Sequence, residues 1–202
     1  MVMLTYDERQ DRLLTTAARV FAGKGFHSTT MRELARETGM SLAGMYHYVS
    51  GKDELLFLIQ QRCFTEVLAA AGSAVTGAAP PHEQVERFIR HHITFFARHM
   101  SEMKVLSHEA ESLHGERLAE INELKRRYVA LLTGLIEGAG SVAEAGIDPH
   151  VASYALFGMM NWIYNWYDPE GAVSPERLSE QFTRLFLDGL MTTTHRAVSA
   201  GG

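Results

Sequence analysis

Cysteine is almost absent from this chain. The single thiol, Cys63, cannot close an internal disulfide, and its bland role is that of a small apolar side chain on a helix. Long apolar runs are missing as well: no stretch approaches the ~20 residues that a membrane span requires. Residues 1–15 hold no apolar block ahead of a cleavage-like site, so the expected location is the cytoplasm. The five prolines all fall at expected helix borders. A basic surplus is missing too, the net charge being −5, but the deficit is unevenly spread. Residues 1–62 carry 8 Lys/Arg against 7 Asp/Glu, a net +1, while the rest carries −6. A nucleic-acid contact made by the first part would therefore depend on where a few cations stand, with a steep salt dependence.

What is present is helical. In 202 residues that are 46% hydrophobic there is enough apolar material for a real core, which excludes a disordered chain. No strand alternation, internal repeat or low-complexity tract appears, so the fold class is all-α, with about nine helices. The most informative stretch is Thr29 to Lys52. Thr30 and Glu33 stand at the spacing of a reciprocal helix cap, so a helix begins at Met31, with Met31, Leu34, Ala35 and Thr38 on one face. Gly39 supplies the turn, and Ser41 caps a second helix that buries Leu42, Met45 and Val49.

The opposite side of that second helix presents Ser41, Ala43, Gly44, His47 and Tyr48, with Tyr46 at the edge. Small residues there let a helix come within hydrogen-bonding distance of base edges. Ser50 and Asp53 repeat the capping spacing, which puts Lys52 in a helical first turn, where it can meet a phosphate. The candidate DNA-contacting set is Thr30, Arg32, Ser41, Leu42, Ala43, Gly44, Tyr46, His47, Tyr48 and Lys52.

With the preceding LLTTAARVFAGKGFHSTT (Leu13 to Thr30), the Gly39 turn, the MYHYV block and Gly51-Lys52-Asp53-Glu54-Leu55, the segment resembles the N-terminal DNA-binding domain of the TetR family of bacterial transcriptional regulators. Met45 stands where that family usually has Leu and Val49 where it has Phe, and both keep an apolar side chain inward. The resemblance implies a helix-turn-helix domain over residues 1–51 and an effector-binding, dimerising domain over 52–202. It also implies a homodimer on palindromic double-stranded operator DNA, no cofactor and no membrane. Repression follows from the family's habit.

Further along, a helix is expected from Lys52 to about Ala71, then a small-residue linker to Pro81. The next helix, from His82 to about Met100, carries Val85, Phe88, Ile89, Ile93 and Phe96 inward. Others are expected over Glu102 to Leu113, and over Arg117 to Ile136 with Leu124, Tyr128, Leu131 and Leu135 inward. Asp148-Pro149 and Ser174-Pro175 each open a helix, the first running to Tyr167; Ala197 to Gly202 reads as a frayed tail.

The Pro149 to Tyr167 segment is apolar nearly all round and needs partners on more than one side. Leu156, Met160 and Ile163, with Phe182, Leu185, Phe186 and Gly189 of the last helix, are the dimerisation candidates, in the four-helix bundle that the resemblance implies. The NWxxxWYxPxG spacing from Asn161 to Gly171 is similar to the branch of the family that responds to acyl-CoA thioesters. Asn161, Trp162, Asn165 and Trp166 are the ligand-binding candidates on that resemblance, and Phe95, His99, Met103 and Tyr128 are candidates to complete an apolar pocket, with core packing the better reading of any one of these four. Core or dimer packing is the competing role for the two tryptophans, and a solvated helix face is the better reading of Lys125-Arg126-Arg127.

An enzyme is not expected. His108-Glu109-Ala110-Glu111-Ser112 begins like a zinc-protease helix, but Ser112 stands where the second His belongs. There is no Gly-x-Ser-x-Gly elbow. His91 and His92 point to different sides of a helix, so no metal site is expected from them. The alternatives to an acyl-CoA-responsive repressor are a regulator of another hydrophobic ligand or of drug efflux, and a helical protein-binding adaptor.

Overall fold

The computed structural model describes residues 5–77, 79–109, 111–140 and 146–199, the last ten of these as backbone only. Ala110 and residues 200–202 of the expected tail lie outside the described residues. Among the described residues the chain forms helices and one 3₁₀ turn, with no strand. No described helix is long and apolar enough to cross a membrane.

The helices are α1 (Tyr6–Lys24), α2 (Met31–Thr38), α3 (Leu42–Met45), α4 (Lys52–Ala74), α5 (Pro81–Arg98), α6 (Met100–His108), α7 (Gly115–Ala139), α8 (Pro149–Asn161) and α9 (Pro175–Ser199). α9 therefore continues through Ala197, where the tail was expected to begin. Several ends follow local chemistry. Asp148 caps α8 through the N–H groups of His150 and Val151, with Pro149 at the first helical position. At the start of α1, Thr5 and Glu8 form a reciprocal cap. Glu54, rather than Asp53, accepts from the Ser50 N–H and hydroxyl, a four-residue reach across the start of α4.

Two compact units result: Met1–Thr65 with His99–Glu123, and Glu66–Arg98 with Leu124–Gly202. The division differs from a cut at residue 51, because α6 packs on α1 and belongs with the first unit. That unit has a core of Leu13, Leu34, Met45, Leu55, Leu56 and Ile59, all fully buried. Its α4 and α6 are also tied by charge. Arg62 reaches Asp11 at 3.1 Å and the buried Glu102 at 3.7 Å, and donates to the Thr15 hydroxyl.

In the second unit α5 packs on α9 and on α8. α5 buries Val85, Phe88, Ile89, Ile93 and Phe96, as its periodicity predicts. On α7, which passes from the first unit to the second after Glu123, the buried stripe is Ile121, Tyr128, Leu132 and Ile136, whereas Leu124, Leu131 and Leu135 are half-buried, a rotation of the expected face. The α8 segment ends at Asn161 and tightens into a 3₁₀ turn over Trp162–Asn165 instead of running on to Tyr167. Three residues per turn replace 3.6 there. The pairs Asn161/Asn165 and Trp162/Trp166 are accordingly not stacked on one α-helical face.

Candidate DNA reader and effector core

The reader is built from its caps upward. Thr30 Oγ1 accepts from the Glu33 N–H at 3.3 Å while the Glu33 carboxylate accepts from the Thr30 N–H at 3.0 Å, so the cap fixes where α2 starts. Lys24 adds a 2.9 Å ion pair to Glu33. Its ammonium and the cap hold the Glu33 carboxyl below its ordinary range. Gly39 takes φ +68°, a left-handed turn that a side chain would strain. Ser41 Oγ then accepts from the Gly44 N–H at 2.9 Å. A Cβ on Gly44 would lie 3.0 Å from that hydroxyl, so the small residue protects the cap as well as the approach of a partner.

α3 is a single turn, and turn hydrogen bonds carry the chain on to Val49. Met45 and Val49 are buried as expected, and Leu42 is half-buried. Ala43, Tyr46 and His47 are exposed on the outward side together with Ser41. Tyr48 turns partly inward and stacks on Tyr6, their ring centroids 4.7 Å apart. Arg32 is exposed on α2, whereas the Thr30 hydroxyl is committed to its cap.

Lys52 departs from the expectation. Its Nζ donates to the carbonyl oxygens of Phe26 (2.8 Å), Thr29 (3.1 Å) and His27 (3.4 Å) and lies 4.4 Å from the centre of the Phe26 ring. Three donors meet three acceptors. The lysine thus closes the α1–α2 turn rather than offering its charge outward. The Arg9 and Arg12 side chains, both exposed, were not among the sequence candidates. With Gly39, Met40, Ser41 and Gly44 they line a concavity of about 350 Å³ beside the reader turn. Their i, i+3 spacing near the start of the first helix was the available signal.

The His108–Ser112 run has a structural task. The Glu109 carboxylate accepts from the Phe26 N–H at 3.2 Å and the Ser112 hydroxyl at 2.7 Å, and the Glu109 carbonyl accepts from Gln60 Nε2 at 3.2 Å. The end of α6 is thereby joined to the turn that leads into α2 and to α4.

Of the ligand candidates, His99 and Met103 belong to the first unit, His99 half-buried and Met103 buried. The others belong to the second, where Tyr128 is brought into an aromatic cluster with Phe88, His92 and Phe157. Phe95 is half-buried against the edge of Phe96. Asn161 and Asn165 are exposed, as are Trp162 (60%) and Trp166 (55%). The tryptophans are therefore not core residues of their own unit.

The dimerisation candidates divide. Leu156, Met160, Ile163, Phe182 and Phe186 are buried within the second unit, so they pack inside it rather than standing on its surface. Leu185, 67% exposed, and Gly189 do face out. The helix α8 is apolar on both sides. Its outward side carries Val151 and Tyr154, each more than half exposed. Among the described residues no cluster of three His, Cys, Asp or Glu could hold a metal ion. His91 and His92 do diverge: one ring meets the Val67 carbonyl, the other the Tyr128 hydroxyl.

Residues 13–59 match the pattern of the TetR family of bacterial regulatory proteins, and residues 78–190, more than half the chain, match the Tetracyclin repressor-like C-terminal domain. The chain belongs to the TetR family. It is a ligand-responsive DNA-binding repressor of the TetR type, and not an enzyme. The HTH-type transcriptional repressor KstR2 of Rhodococcus jostii (strain RHA1) is 25% identical over 90% of this chain and 91% of its own length. AibR, solved with isovaleryl coenzyme A and operator DNA, is 31% identical with a TM-score of 0.76, over 88% of this chain and 97% of that one. The TetR-family regulator PfmR of Thermus thermophilus is 27% identical with a TM-score of 0.79, over 88% and 98%.

Proposed function

We propose that this TetR-family regulator is a cytoplasmic repressor that leaves its operator when it binds a short acyl-CoA thioester. The likeness to AibR, a protein seen with both isovaleryl coenzyme A and operator DNA, carries the reading. The chain's own NWxxxWYxPxG spacing supports it. A homodimer places two α3 turns on successive major grooves of a palindrome. Its subunits meet through the outward apolar side of α8 and α9, with Val151, Tyr154, Trp162 and Leu185, an exposed set that water alone does not favour.

In this reading Ser41, Ala43 and Gly44 approach base edges, and Tyr46, His47, Arg32, Arg9 and Arg12 take the flanking phosphates. The Glu109 bridge makes α6 the part of the first unit whose displacement re-aims the reader. Effector and operator then oppose each other by the same coupling free energy in both directions.

The test is fluorescence anisotropy with the DNA upstream of the protein's own gene, titrated with isovaleryl-CoA. Tight binding reversed by the thioester, and not by coenzyme A alone, is expected. Binding that no acyl-CoA reverses would reject this effector class and leave the other hydrophobic-ligand reading.

A further inference from the structure

Among the described residues of the second unit two buried side-chain polar atoms have no hydrogen-bond partner, Thr183 Oγ1 and His92 Nε2, and only the second lies in an aromatic cluster. His92, on α5, is 1% exposed and sits among the rings of Phe88, Phe96, Tyr128 and Phe157, with centroids 4.7–6.4 Å away. Its Nδ1 lies 3.1 Å from the Tyr128 hydroxyl, but its Nε2 is buried with no hydrogen-bond partner. Buried polar atoms are almost always paired, and an unpaired one costs more than an apolar replacement would. Phenylalanine would fill the same aromatic space without that cost, so packing does not explain the imidazole.

We propose that His92 is the hydrogen-bond donor that recognises the effector, its Nε2–H reserved for the carbonyl oxygen of a short acyl thioester. In this role the Tyr128 hydroxyl donates to Nδ1, so that the single ring proton stands on Nε2 and points away from Tyr128. Burial, with His91 adjacent, pushes the imidazole pKa down to about 3, so the ring is neutral at any cellular pH and binds a carbonyl rather than a carboxylate. The rings around it suit a small branched or linear hydrocarbon chain. The Asn161 side chain interacts with the imidazole and partly offsets the lowering of its pKa, but Nε2 itself meets no acceptor in hydrogen-bond geometry. Asn161 is itself exposed. A thioester whose acyl end lies among the rings and whose coenzyme end leaves past Asn161 would satisfy Nε2.

The inference rests on the acyl-thioester reading above, and its test separates the two. Full-length wild type, His92→Phe and His92→Gln are titrated with isovaleryl-CoA by calorimetry, and the carbonyl stretch of carbonyl-labelled isovaleryl-CoA is recorded in each complex. Expected are at least a tenfold weaker affinity for His92→Phe and partial recovery for His92→Gln, whose amide N–H takes the place of Nε2–H. The carbonyl stretch should lie at lower frequency in wild type than in His92→Phe. A melting temperature of His92→Phe at or above that of wild type would show that the loss is not one of folding. Equal affinity and equal carbonyl frequency in wild type and His92→Phe overturn the role of His92 and leave the effector reading standing. A wild type that binds no acyl-CoA overturns both.

Discussion

At the scale of single residues, the local chemistry is decided by which polar atoms are already engaged. Lys52 is the clearest case: its position in a helical first turn suggests a phosphate contact, yet its ammonium is shared among three carbonyl oxygens of the α1–α2 turn. Lys52→Met should lower stability by about 1.5–3 kcal/mol, the usual size for hydrogen bonds to a charged group. A thermal melt checks this, and an unchanged melting temperature with weakened DNA binding would return the lysine to phosphate duty. His92 gives a pH prediction. Burial lowers its pKa in the folded protein from the ordinary 6.5 to about 3, so the unfolded chain binds the proton more readily. Its contribution is fully present above pH 6.5 and is lost as the pH falls toward 3, by up to about 1.4 kcal/mol per pH unit. His91, also lowered chiefly by burial, adds in the same direction. Denaturant melts from pH 7 to 4 should therefore show a shallower loss for His92→Phe than for wild type.

At the scale of helices, what could be read from the chain was whatever neighbours in sequence decide. The Thr30–Glu33 cap, the Gly39 turn, the Ser41 cap and the Asp148-Pro149 start all depend on groups within four residues of one another. Faces decided by distant packing were harder. The apolar stripe of α7 is rotated from the expected one, and the helix passes from the first compact unit into the second after Glu123, so no single periodicity sets its inward side. The outward side of α8 could not be chosen from the sequence because Leu156 and Met160 are as apolar as Val151 and Tyr154. The 3₁₀ turn after Asn161 broke the four-residue spacing on which the paired Asn and Trp expectation relied. Long-range ion pairs leave no periodic trace at all. Arg62 joins α4 to Asp11 of α1 and to Glu102 of α6, and Glu102 is buried. Arg62→Ala should cost roughly 3 kcal/mol or more by leaving that carboxylate buried without its cation. Chemical denaturation measures it, and a change below about 1 kcal/mol would mean that water reaches Glu102 and relieves it.

For the molecule as a whole, an acidic chain that binds DNA must concentrate its few cations where the duplex lies. Arg9, Arg12 and Arg32 stand around the reader, while the surplus of acid lies beyond residue 62. Replacing Arg9 and Arg12 by Ala should weaken binding to specific and unrelated DNA alike. It should also flatten the dependence of affinity on salt, by about 0.9 in the logarithmic slope for each phosphate that is no longer neutralised. The most direct test of the central claim, a dimer that reads a palindrome with paired α3 surfaces and lets go on binding an acyl thioester, is a hydroxyl-radical footprint of the DNA upstream of the protein's own gene. The account predicts two protected half-sites related by a dyad, their centres about 10 bp or a multiple of that apart, and loss of both together when isovaleryl-CoA is added. A single unsymmetrical patch, or protection that persists unchanged with the thioester bound, would contradict it.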